Sequence, residues 1–444
     1  MNKNLKFSQI LSIGFLLFAI LFGAGNVIFP PILGQLAGKN MLLSISGFIF
    51  ADVGLSLLAI IAVVLAGGSF YKLANRVHPK FSKFFTSIIY FVIGPLCVIP
   101  RTGVVSYETS MASIITPGST AEFIARIIFT AIFFGITYFL ALNPSKLVDR
   151  IGKIITPILL ILIALITIKS FISPIGVPSQ PIGDYATIPF FKGFSSGYLT
   201  LDGLGALILS IIVIDAIKGF GVTNSKTIAK NTIIGGVIAS IALMFVYFSL
   251  GYIGASSISL GVIDNGAILL GTIMNILFGK LGIILLGLVV TLACLTTSIG
   301  ITSSFGNYFS KRAKKLSYKK IIGLVCIVSF VISNLGLTLL LKVTEPVLTL
   351  LYPIAIVLIL VSFIDKFINS NSYVYIYGMI GASIVSVLNI LDNFNLLNTS
   401  LSTLVNNIPL YNLGIGWVIP AIIGCILGYC IHFDKKVAIK SSSI

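Results

Sequence analysis

Charge is what this chain has least of. Only 9% of its 444 residues are Asp, Glu, Lys or Arg, where a soluble domain carries about a quarter. With 57% hydrophobic residues and a mean hydropathy of +1.11, it lacks the polar side chains needed to coat a water-soluble globule, and it reads as a polytopic membrane protein. Acidic residues are scarcer than basic ones, 12 against 29. The resulting net charge of +17 does not indicate a nucleic-acid partner, because the basic residues are strung out between hydrophobic runs, which favours the membrane reading. Histidine is almost absent: His78 and His432 each sit at the end of a run. An intramembrane enzyme would need a nucleophile, base or metal set, and no such set can be assembled, so neither an enzyme nor a cofactor is expected. The five cysteines (Cys97, Cys294, Cys326, Cys425, Cys430) form no CxxC and all lie in apolar segments, where they read as small buried hydrophobes.

Long apolar runs are what the chain has instead. A span needs about 20 apolar residues. That rule predicts about twelve, near 8–36, 41–67, 84–110, 121–141, 152–173, 193–217, 231–254, 281–308, 320–340, 345–364, 373–391 and 412–432. The stretch 260–278 carries Asp264, Asn265, Gly266 and Asn275, and is expected to be a helix in a long loop, with a thirteenth span as the alternative. Lys3 and Lys6 before an apolar run resemble a signal peptide, but hydrophobicity resumes at Val27, so the segment is read as retained. Counting Lys and Arg in alternate loops puts 22 on one side and 6 on the other, with Arg101 left inside a span. The asymmetry predicts cytoplasmic N- and C-termini. A thirteenth span would move the Lys311–Lys320 cluster outside.

The first span is interrupted by Gly23-Ala24-Gly25-Asn26, ahead of Pro30-Pro31. Backbone groups released by such a break cannot stay bare in hydrocarbon, so the break must be enclosed by protein or line a cavity. The simpler reading is a packing face of small residues. The sixth span carries a second interruption, between Phe194 and Gly205, that includes Gly197, Thr200, Asp202 and Gly203. If spans one to five and six to ten form two inverted repeats, the two breaks occupy matching positions, which points to a transporter's central site.

Charged residues at membrane depth are costly and usually functional. Asp52, Arg101, Glu108 and Asp202 lie inside spans. Arg101 and Glu108, two helical turns apart on one face, are candidates for one coupling network, or for a structural ion pair. In span eight Thr296 and Thr297 could bond the carbonyls one turn back, or supply neutral oxygens to a hard cation such as Na⁺ together with carbonyls freed at the first break.

With these residues in view the chain resembles the bacterial branched-chain amino acid:cation symporters, the BrnQ or LIVCS family. The matching stretches are Phe22 to Pro31; Gly94-Pro95 with Pro100-Arg101-Thr102 and Val105 to Glu108; Gly197 to Asp202; Ala293-Cys294-Leu295; and Ser333 to Leu337. The resemblance implies a multi-pass protein of a bacterial plasma membrane with a LeuT-like 5+5 inverted repeat and discontinuous helices 1 and 6. The expected division is 1–173 for the first repeat, 193–364 for the second, 373–432 for two additional helices and 433–444 for a cytoplasmic tail, all in one transporter domain. It further implies symport of leucine, isoleucine or valine with Na⁺, with H⁺ coupling through Glu108 or Asp202 as the alternative. A channel is a more distant one, disfavoured because the polar residues cluster at mid-depth.

The expected substrate site comprises Phe22, Gly23, Ala24, Gly25, Asn26, Tyr107, Tyr198, Leu199, Thr200, Asp202, Gly203 and Leu204. The carboxylate would meet N–H groups of the half-helix beyond Gly25, the ammonium would meet carbonyls at the two breaks with Asp202, and the side chain would meet Phe22, Tyr107, Tyr198, Leu199 and Leu204. Ala24, Ala293, Thr296 and Thr297 are the expected Na⁺ ligands. The partners implied are the amino acid, Na⁺ and the bilayer; oligomeric state is not readable.

Overall fold

The computed structural model describes residues 5–112, 115, 118–143, 147–313 and 316–441, without side chains for 147–155 and 432–441. Among the described residues every regular element is helical. Among these residues seven helices are long and apolar enough to cross a membrane, or eight counting one bent pair, and there are three shorter apolar helices at Phe7–Leu21, Thr156–Ile172 and Val418–Ile431. Each of the twelve expected spans overlaps helix, but 320–340 crosses a break at 334–336 between Tyr318–Ser333 and Leu337–Phe363, and 412–432 becomes α-helical only from Val418. Large side chains such as Phe139, Ile161, Leu281, Ile284, Leu324 and Ile327 stand exposed on these helices, as lipid-facing surfaces require.

The helices cluster into two compact units, one formed by Met1–Leu57 with Ile89–Lys342 and the other by Leu58–Ile88 with Val343–Ile444. In the second unit, Ser372–Asn393 packs along Val418–Ser441 through glycines. A Cβ on Gly381 would stand 2.2 Å from the Pro420 carbonyl oxygen, and one on Gly424 2.2 Å from that of Tyr377. There Arg76 pairs with Asp365 at 3.5 Å, and the Tyr375 hydroxyl donates to the same carboxylate at 2.7 Å.

The first unit holds both interrupted spans. Span one consists of Phe7–Leu21 and Ala24–Ala37, joined by extended backbone at Phe22 and Gly23. The break is therefore shorter than Gly23–Asn26, because Ala24, Gly25 and Asn26 open the second helix. Pro30 and Pro31 lie within that helix and remove the two N–H groups that would bond the Asn26 and Val27 carbonyls. Span six consists of Pro189–Tyr198 and Asp202–Gly219, bent by 46°. Its break also contracts, to Leu199-Thr200-Leu201, while Gly197, Gly203 and Gly205 are helical. Leu201 turns the chain there with φ +73°, a left-handed conformation that costs a non-glycine residue about 1–3 kcal/mol.

Close backbone approach fixes these spans against their neighbours. A Cβ on Gly34 would lie 1.9 Å from the Gly251 carbonyl of span seven, and a Cβ on Gly193 would lie 1.9 Å from the Ser44 carbonyl of span two. Such contacts leave no room for any side chain. Span two passes through a π-helical turn at Phe50–Gly54, and span three through turns at Val92–Leu96 and Glu108–Ala112. Asp52 and Glu108 both lie in these wide turns, a feature frequent at functional sites. The stretch Gly266–Phe278 is helical, and Gly279 at φ +65° divides it from the rest of Gly266–Ser310.

Candidate substrate and cation site

The two breaks meet around Asn26. Its side-chain oxygen accepts the Gly23 N–H at 2.8 Å, closing the interruption in span one. Its amide nitrogen donates to Asp202 at 2.6 Å and to the Tyr247 hydroxyl at 2.5 Å. Tyr247, from span seven, in turn donates to Asp52 of span two, and the Thr200 hydroxyl donates to the other Asp52 oxygen at 2.6 Å. Asn26, Asp52, Thr200 and Tyr247 are all buried, so this network joins spans one, two, six and seven out of contact with solvent. Asp52 and Tyr247 carry no local motif in the sequence. The buried charge of Asp52 marked it in the sequence, but its partners, and Tyr247 altogether, emerge only from the contact between distant helices.

Arg101 enters the same centre from span three and is 2% exposed. Its guanidinium donates to the Leu199 carbonyl at 2.5 Å and to the Thr200 carbonyl, the oxygens freed by the span-six break. The Phe29 ring lies 5.7 Å beneath it, within cation–π range. It also acts electrostatically on both Asp52 and Asp202. With both carboxylates ionised, the single guanidinium would leave one negative charge to be balanced, and a buried unbalanced charge is expensive. Glu108 takes partners on other elements: the Asn265 amide donates to it at 2.6 Å and the Leu337 backbone also bonds it. Arg101 and Glu108 thus belong to different surroundings despite sharing a helical face.

A second polar group sits where span one first breaks. Because the helix ends at Leu21, its last carbonyls lack intrahelical partners. Thr296 donates to the Ala19 carbonyl at 3.1 Å and to Ala293 at 2.7 Å, and Thr297 lies 3.4 Å from both the Phe22 and Ala293 carbonyls. Both threonines thus bond the Ala293 carbonyl one turn back, and each also meets a carbonyl from the end of the first half of span one, neutral oxygens of the kind a hard cation takes. The carbonyls meeting the two threonines belong to Ala19 and Phe22, ahead of Ala24. Ala19 could have been found by asking which carbonyls a helix end at Leu21 would orphan.

The remaining expected residues divide. Gly23, Ala24, Gly25, Gly203 and Leu204 border the two breaks and are all buried. Tyr107 instead turns toward span four, its ring against Phe129 and its hydroxyl 3.1 Å from the Glu122 carbonyl. Tyr198 packs its ring on Phe194. Phe22 stacks on Phe18 and borders an apolar cavity of about 90 Å³ between spans one, five, seven and eight, lined also by Val27, Ile163, Leu250, Met274 and Val290. That lining is hydrocarbon throughout and offers nothing to the charged ends of an amino acid.

Interrupted helices 1 and 6 that meet at a buried polar centre define a membrane transporter of the LeuT-like fold. A solved structure of Mhp1, a nucleobase-cation-symport-1 family transporter, in a closed conformation with bromovinylhydantoin bound, superposes with a TM-score of 0.62 at 14% identity, covering 96% of this chain and 93% of that one. Residues 6–435 match the family described as branched-chain amino acid transport protein, and the chain belongs to that family. It is 46% identical to the branched-chain amino acid permease BraB of Bacillus subtilis (strain 168), over 97% of this chain and 96% of that protein. It is 42% identical to the permease BrnQ of the same organism, over 98% and 99%. The chain is accordingly a multi-pass transporter and not an enzyme.

Proposed function

We propose that this protein imports leucine, isoleucine and valine by symport with Na⁺, alternating access around the centre where spans one and six break. The observation that carries the reading is the joining of the two breaks through Asn26, Asp202, Tyr247 and Asp52, with the Thr296 and Thr297 hydroxyls meeting carbonyls of Ala19, Phe22 and Ala293. The substrate carboxylate sits against the N-terminal turn at Ala24 and Gly25, where N–H groups lack intrahelical partners and the dipole is positive. The ammonium takes carbonyls of the span-six break and the carboxylate of Asp202. Its aliphatic side chain rests on hydrocarbon near Phe22 and Leu204. Such a surface separates aliphatics one methylene apart by only about 1–3 kcal/mol, so all three branched substrates are carried. Na⁺ sits at the two threonines. Family membership and the 22-to-6 loop asymmetry support a bacterial plasma membrane with both termini cytoplasmic. Spans one to five and six to ten act as the two inverted repeats, followed by two additional helices.

H⁺ coupling is the second reading, favoured by the charge count at Asp52, Asp202 and Arg101, since a proton balances one negative charge as well as Na⁺ does. Equilibrium binding of labelled leucine to the purified protein separates the two. Affinity that rises with Na⁺ at fixed pH, and loses that rise in Thr297→Ala, supports Na⁺. Affinity indifferent to Na⁺ but raised by acid supports H⁺.

A further inference from the structure

On the substrate reading above, we propose that Arg101 is the residue that makes the transporter demand a carboxylate. Its guanidinium competes with the substrate ammonium for the same carbonyl oxygens, and pairs with the substrate carboxylate when the ammonium takes them.

The acceptors at that seat are the carbonyl oxygens of Leu199 and Thr200, left free because the span-six helix stops at Tyr198. Carbonyl oxygens take only donors, and a guanidinium and an ammonium are both cationic groups with donors and no acceptors. The two compete for the same oxygens. The guanidinium is also seated against the opposite wall: a Cβ added to Gly25 would lie 2.8 Å from Arg101 Nη2 and 2.9 Å from the Thr200 Cα. Gly25, the Thr200 backbone and the Arg101 guanidinium therefore meet at one point, so the guanidinium on the carbonyls of one break also lies beside the first helical turn of the other.

Charge makes the exchange favourable only for a zwitterion. A guanidinium cannot shed its proton, and beside the N-terminus of the helix beginning at Ala24 it faces the positive end of a dipole. A substrate carboxylate placed there relieves both, accepting from the helix N–H groups and from the guanidinium's planar fork. An amine without a carboxylate displaces the guanidinium and gives it nothing in return. An acid without an amine leaves it on the Leu199 and Thr200 carbonyls.

The test is competition against labelled L-leucine on the purified full-length protein, using isopentylamine, which is leucine without its carboxylate, and 4-methylpentanoate, which is leucine without its ammonium. The wild-type protein prefers leucine to isopentylamine by a wide margin. In Arg101→Gln the margin shrinks by about 30-fold or more, the usual scale for losing one partner of a buried charge pair. Arg101→Lys, which keeps the charge without the fork, retains part of it. An unchanged margin in Arg101→Gln overturns the proposal. Should that variant not fold, a structure of the wild-type protein with L-leucine decides. The expected result is the guanidinium on the leucine carboxylate and the ammonium on the Leu199 and Thr200 carbonyls. Leucine held between the breaks with the guanidinium unmoved overturns this proposal alone. Leucine held elsewhere overturns the substrate reading along with it.

Discussion

At the scale of single residues, Asn26 organises the centre because one amide does opposite jobs at its two ends. Its oxygen accepts the Gly23 N–H inside span one, while its nitrogen reaches Asp202 and Tyr247 on two other spans. Removing Tyr247's hydroxyl in Tyr247→Phe takes a donor from Asp52, and a hydrogen bond to a charged group is worth about 1.5–3 kcal/mol. We expect leucine affinity, measured by equilibrium binding, to fall by about tenfold or more in this variant. Glu108→Gln should behave differently. Its partners Asn265 and Leu337 lie outside the centre, so the dependence of leucine uptake on Na⁺ should match the wild-type protein's. Asp52 shows why the sequence was a partial guide here: an aspartate in an apolar helix announces a cost, but its partners Thr200 and Tyr247 are 148 and 195 residues away.

At the scale of elements, the breaks were legible and their extents were not. Glycines marked both interruptions, with Asn26 in the first and Thr200 and Asp202 in the second, yet Ala24-Gly25-Asn26 and Gly203 to Gly205 proved helical, because glycine is tolerated in a helix wherever packing demands a small residue. The true break in span six turns on Leu201, whose left-handed conformation no propensity would assign to leucine. This distinction separates two glycine substitutions. Gly25→Ala places a methyl group 2.8 Å from Arg101 Nη2 and 2.9 Å from the Thr200 Cα, and should abolish leucine binding in a direct binding assay. Gly205→Ala meets only the tip of Leu209 at 4.0 Å, and should leave binding intact while raising thermal stability by up to about 1 kcal/mol, the difference in helix propensity.

At the scale of the whole molecule, composition and the period of apolar runs carried the span count, since a bilayer admits so few backbone solutions. The family was legible for a different reason, the long motif from Phe22 to Pro31. What could not be read was which oxygens converge, because Ala19 and Thr296 come together only when spans one and eight pack. The proposed orientation rests on the loop charges. An impermeant maleimide applied from outside should label Lys39→Cys and Lys280→Cys and spare Lys319→Cys, in a background cleared of the native cysteines. Cation coupling is the claim on which the rest of the mechanism turns. Its most direct measurement is accumulation of labelled leucine in proteoliposomes with an inward Na⁺ gradient, the same pH on both sides and no membrane potential. The account predicts transient accumulation above equilibrium that collapses when Na⁺ is equalised or when Thr296 and Thr297 are both changed to alanine. Accumulation that ignores the Na⁺ gradient and appears only with an imposed pH gradient would contradict it.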